Sequence, residues 1–152
     1  MKKITAFFSA IILVFILSFS VFVTNADANQ AASHAAADAK SYLIEPQDGT
    51  TVTSPFLVKF GLSGMDIVPA GVDQDNAGHH HLLIDLEEVP SLNQALPANE
   101  NIQHFGKGQT ETSLELEPGE HTLQLIVGDY VHKPHDHPVI SKKIRVIVSP
   151  ED

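Results

Sequence analysis

The chain has 152 residues, 43% of them hydrophobic and 18% charged, a balance that fits one globular domain with a short additional segment and excludes a fully disordered chain. Its 9 basic and 19 acidic residues give a formal net charge of −10. That charge disfavours nucleic acid and anionic lipid surfaces, both of which need a positive patch, and favours cations. There is no cysteine, so the chain folds without disulfides, carries no lipidated cysteine, and offers no thiolate to a metal.

In chain order, Lys2 and Lys3 form a positive start, an apolar run from Ala6 to Val23 follows, and Ala26-Asp27-Ala28 has the small-x-small shape of a signal-peptidase site. Residues 1–28 therefore read as a signal peptide and the protein as periplasmic or secreted. The run exceeds the usual ~7–15 residues of a signal peptide and approaches the ~17–25 of a bilayer span, which makes an uncleaved anchor the alternative. Beyond this N-terminal segment no association with a membrane is expected. Removing Lys2, Lys3 and Asp27 leaves 7 basic and 18 acidic residues, or 7 − 18 = −11. Residues 29–40 are small, polar and alanine-rich and read as a flexible linker, with His34 a lone histidine on a tether.

From Ser41 the pattern becomes short β-type runs separated by turn residues. Tyr42-Leu43-Ile44 is a first strand. Phe56, Val58, Phe60 and Leu62 then alternate with Leu57, Lys59 and Gly61, as one buried face requires. Residues 63–78 form a loop that delivers the chain to Gly78-His79-His80-His81-Leu82-Leu83-Ile84-Asp85. Residues 86–103 have two prolines and no steady period, and so form a long connection. Thr110 to Leu116 alternates again, Glu117-Pro118-Gly119-Glu120 is a turn, Leu123, Leu125 and Val127 mark a further strand, and Val139 to Val148 the last. No window carries a 3.6-residue stripe. The expectation is an all-β domain over residues 41–150, an immunoglobulin-like or fibronectin-like antiparallel β-sandwich of about seven strands.

That topology gathers histidines. Side chains alternate along a strand, so if Leu82 and Ile84 enter the core, His80 goes with them, while His79 and His81 share the opposite face. One strand can give a single site at most two of the three. His104, just before a strand, and His132, His135 and His137, in the segment between the last two strands, fall at the same pole, with Asp129, Asp136 and Asp85 as supporting carboxylates. His121 falls at the other end, as a corner residue whose ring bonds the turn. Three or four imidazoles without thiolates suit copper(II) or zinc(II), and the candidate ligands are His79, His80, His81, His104, His132 and His135. No catalytic residue is assigned. The Gly106-Lys107-Gly108 segment lacks the spacing of a phosphate loop, Asp73 to Ile84 lacks the glutamate of a calcium loop, and no serine sits in a Gly-x-Ser-x-Gly elbow.

The three motifs Gly78 to Asp85, His104-Phe105-Gly106-Lys107-Gly108-Gln109-Thr110-Glu111, and Pro118-Gly119 with His121-Thr122-Leu123, Asp129, His132 and Pro134-His135 together resemble a family of small exported bacterial proteins described only as a domain of unknown function. The resemblance covers residues 41–148 and implies bacterial origin and export without an activity. The residues themselves point to binding, sequestration or delivery of a transition metal. The alternative is a non-catalytic envelope module that holds a protein, peptide or glycan with the same loops. Catalysis would require an open coordination position.

Overall fold

The computed structural model describes residues 33–150; the proposed signal peptide lies outside the described residues. It is an all-β sandwich, with no helix among the described residues that is long and apolar enough to cross a membrane. Nine strands follow one another: β1 (Lys40–Glu45), β2 (Thr50–Thr53), β3 (Phe56–Ser63), β4 (Asp66–Ile67), β5 (Ala77–Ile84), β6 (Ile102–His104), β7 (Glu111–Leu114), β8 (Gly119–Gly128) and β9 (Ile144–Ser149). One sheet has the order β1-β3-β7. The other has the order β2-β9-β8-β5-β4, with β6 also paired to β5.

The core lies between the sheets, and its composition follows from the alternation in the sequence. Phe56, Val58 and Phe60 of β3 and Leu114 of β7 meet Leu82 and Ile84 of β5, Leu123 and Leu125 of β8, and Val146 and Val148 of β9. The residues between them on β3 point out, and Leu57 is 44% exposed. A second apolar cluster covers the outer face of the larger sheet. Leu83 and Ile126 there lie under Leu96 and Ile102, with Leu86, Val89 and Leu92 from the long connection packed alongside. The connection between residues 86 and 103 thus closes over the sheet, for which its aperiodic scatter of leucines gave no signal.

Strand β5 is consequently covered on both faces, and all eight of its residues are buried. A strand in that position carries a continuous run of buried residues instead of an alternating one, which is why three histidines can be consecutive here and still all be inside. The differences from the sequence reading are local. Two parallel pairs, β2 with β9 and β4 with β5, join an otherwise antiparallel arrangement. The last strand begins at Ile144, because residues 139–143 hold only an isolated bridge from Ile140 to Ile126.

The segment before β1 is docked onto the domain. Ala35 is fully buried beside Val127 and Val139, the Ala36 amide donates to Asn76 Oδ1 at 2.8 Å, and the Asp136 amide donates to the Ser33 carbonyl at 3.0 Å.

Candidate metal centre

Strand alternation divides the three consecutive histidines as the side-chain period demands. His80 faces the sandwich core, with its ring centre 5.3 Å from that of Phe60. His79 and His81 face outward, opposite Gly128 and Ile126 of β8. His81 is also directly opposite His104 of β6, so two strands bring three imidazoles to one patch. The fourth comes from the turn after β8. Asp129 Oδ1 accepts hydrogen bonds from the amides of Val131 and Lys133 at 3.0 and 2.9 Å, and the His132 amide donates to the Asp129 carbonyl at 2.9 Å. This closed turn holds His132 at φ 68°, a left-handed conformation that histidine adopts more readily than most residues, and swings its ring over the sheet.

The result is a group of four rings. Centre-to-centre distances are 4.9 Å for His79 to His81, 4.9 Å for His79 to His104, 5.1 Å for His79 to His132, 5.1 Å for His81 to His104, 5.9 Å for His81 to His132 and 4.6 Å for His104 to His132. Imidazoles bound to one tetrahedral ion at ~2.0–2.1 Å have ring centres roughly 5 Å apart. One nitrogen from each of His79, His104 and His132 lies within 4.8 Å of the others, a group that could hold a metal ion. His81 completes the ring cluster from below.

Glycine makes room for the cluster at two positions. A Cβ on Gly128 would stand 2.8 Å from Cε1 of His81 and 3.2 Å from the His132 backbone, and one on Gly106 would collide with the His104 ring. Gly128→Ala should therefore push His81 or the His132 turn out of place. The expected cost is about 1–3 kcal/mol, the usual range for overpacking, read as a lower urea midpoint, with weaker metal binding in the same variant.

The electrostatics favour neutral rings. His79, His80 and His81 are each 0% exposed, and none of their six ring nitrogens has a hydrogen-bond partner; His104 Nε2 is likewise buried and unpaired. Buried polar atoms are nearly always satisfied, and a group of orphans points to something that completes them. Burial is the main reason the pKa of His79 is lowered to about 4, with the imidazoles of His104 and His132 adding to it and the Asp129 carboxylate opposing. His81 is lowered to about 3 by burial and then by His79, His104 and His132, against a weak pull from the His79 backbone that falls short of a hydrogen bond. Burial and then His132 also lower His104. Imidazole must be neutral to bind a metal. His79 and His81 meet that condition well below neutral pH.

Asp129 is the carboxylate that supports this group. It is 2% exposed, and besides closing the His132 turn it accepts a hydrogen bond from Ser33 Oγ at 3.0 Å. Asp129→Ala would leave the Val131 and Lys133 amides without their acceptor and free the His132 ring. We expect a stability loss of about 2 kcal/mol by chemical denaturation and a metal affinity about 10–100-fold weaker by titration, the range found when an orienting group is removed.

The other candidates stand apart. His80 is separated from the cluster by the sheet itself, and burial lowers it to about 4. His135 is 2% exposed, with Nε2 on the Ala77 carbonyl at 3.1 Å and Nδ1 unpaired. His121 lies at the far end of β5 as a corner residue, bonded to Asp85 Oδ2 at 2.7 Å and the Glu117 carbonyl at 2.9 Å. Burial lowers its pKa, but the bonds to Asp85 and Glu117 outweigh that and leave it raised. Asp85 thus serves His121 and not the cluster. His34, expected to be idle on its tether, is paired with Asp136 at 3.0 Å. That pairing needs the docked segment 33–36, for which its alanine-rich composition gives no sign. A surface groove of 560 Å³ between β1 and residues 138–144 is lined by none of the clustered histidines.

Comparison with curated proteins and with solved structures finds no match to this chain. A family model does match, over residues 58–149, which run from Val58 within β3 through β9 and include the whole histidine cluster. The chain belongs to the family described as a domain of unknown function, DUF4399.

Proposed function

We propose that this protein is an exported bacterial metal-binding domain that takes up one copper(II) or zinc(II) ion through His79, His104 and His132, with His81 as the adjacent fourth imidazole, for sequestration or delivery in the periplasm or outside the cell. The observation that carries this reading is the convergence of imidazoles from β5, β6 and the turn after β8, with buried nitrogens that no protein group satisfies. A set of nitrogen donors without thiolate or thioether favours copper(II) and zinc(II) over copper(I). The chain's net charge of −10 favours the approach of cations. A ligand set of three protein nitrogens leaves a fourth position for His81, water or a partner's donor atom, and delivery requires a position of that kind.

Calorimetric titration of the protein, purified without a histidine tag, with copper(II) and with zinc(II) tests the reading. A tight equivalent that disappears in the His79→Ala/His104→Ala variant supports it. Equal, weak binding by both proteins refutes it, and would turn attention to the alternative of an envelope module that uses these loops for a protein, peptide or glycan.

A further inference from the structure

A second group of ligating side chains lies on the surface, outside the buried cluster. His34, Asp136 and His137 each offer one atom, and these atoms lie within 4.8 Å of one another. Asp136 is the hub. Its Oδ2 is 3.0 Å from His34 Nδ1 and its Oδ1 is 3.2 Å from His137 Nδ1. The two imidazoles are edge to face with ring centres 5.9 Å apart, so both rings flank one carboxylate.

The backbone fixes this carboxylate independently of the imidazoles. Asp136 Oδ1 accepts from the His137 amide at 2.7 Å and from the Ala35 amide at 3.2 Å. The His34 and His137 rings complete its hydrogen bonds, one on each carboxylate oxygen. Two imidazoles and one carboxylate with the remaining directions open to water are a donor set suited to divalent transition metals.

The two ends of the group come from distant parts of the chain. His34 belongs to the segment that precedes β1, whereas Asp136 and His137 belong to the connection between β8 and β9. The same segment is tied to the turn that carries His132 by a hydrogen bond from Ser33 Oγ to Asp129 Oδ2.

We propose that His34, Asp136 and His137 form a second, weaker site for a divalent transition metal, whose occupation clamps the segment 33–36 onto the connection that carries His132. The site is built from exposed side chains, so its affinity is lower than that of the buried cluster and its exchange with free metal faster. Occupation joins two segments across the surface, and so reduces the opening of the docked segment by mass action.

The test uses copper(II) ions with the tag-free protein and three forms: wild type, His34→Ala/His137→Ala, and His79→Ala/His104→Ala. Electron paramagnetic resonance of the wild type should show two copper(II) signals in succession as metal is added. The His34→Ala/His137→Ala variant should lose the later signal alone, and the His79→Ala/His104→Ala variant should keep it. Hydrogen exchange at the Ala35 and Ala36 amides should slow at least about 5-fold on addition of the second equivalent in the wild type and not in the His34→Ala/His137→Ala variant. A second signal that survives His34→Ala/His137→Ala, no copper(II) signal in the His79→Ala/His104→Ala form, or unchanged exchange at Ala35 and Ala36 would overturn the proposal. The His79→Ala/His104→Ala form reports on the surface group by itself, so a copper(II) signal there separates failure of the buried cluster from failure of this proposal.

Discussion

His79→Ala is expected to weaken zinc(II) or copper(II) binding by at least about 100-fold, the upper end of the effect of removing a merely orienting group. Of the four clustered rings, His79 lies within 5.1 Å of all the others, centre to centre, and it is in the group whose nitrogens can reach one ion. It is also fully buried, so no solvent-exposed donor can take its place by a small movement. His80→Ala, one residue along, should leave affinity within about 3-fold if the variant folds, because its ring is on the other side of the sheet. Titration calorimetry on the two variants separates a metal site from a general preference of histidine-rich surfaces for metal. Comparable losses in both, or none in either, would contradict the assignment.

The second large effect is acid lability. His79, His80 and His81 all have folded-state pKa values below the ordinary 6.5 of histidine, at about 4, 4 and 3. Between those values and 6.5 the unfolded chain binds more protons than the folded one. The stability contributed by keeping these rings neutral is therefore complete above pH 6.5 and is lost as pH falls towards 4. One buried histidine lowered from 6.5 to about 4 accounts for up to about 3 kcal/mol. With three such residues, two of them interacting, metal-free protein should lose on the order of 5 kcal/mol over this window, a large part of the ~5–15 kcal/mol that holds a typical domain together.

Urea unfolding at a series of pH values measures this loss. His80→Leu should reduce the pH dependence by up to about 3 kcal/mol, because its shift arises from burial alone and the replacement is apolar and of similar bulk. A metal-free protein as stable at pH 4 as at pH 7 would show that these rings are not buried neutral.

The sandwich was legible in the sequence because its core strands obey a period of two. Phe56, Val58 and Phe60 alternate cleanly, and so do Leu123 and Leu125, and these are core residues in the structure. The division of the histidine run was legible for the same reason, since the faces of His79 and His81 follow from those of Leu82 and Ile84. The approach of His104 and His132 was legible only through topology, by which the segments that carry them reach the same end of the domain as the start of β5.

What the sequence concealed depends on contacts without a period. The cover formed by Leu92, Leu96 and Ile102 packs on Leu83 and Ile126 of the outer face of the sheet, and on that face His79 and His81 are buried while His104 and His132 stay partly open to solvent. The role of Asp129 depends on a five-residue turn whose closure is a matter of side-chain-to-backbone bonds. The pairing of His34 with Asp136 spans 102 positions in the chain. Gly128 could have been noticed, since a glycine that ends the apolar run Leu125-Ile126-Val127 of a strand often marks a close approach, and here the neighbours are His81 and His132.

The most direct test of the metal centre is anomalous diffraction from crystals grown with one equivalent of zinc(II). The account predicts a single strong peak ~2.0–2.1 Å from nitrogen atoms of His79, His104 and His132. No peak among those three rings, with zinc found only at His34, Asp136 and His137 or scattered over surface carboxylates, would contradict it.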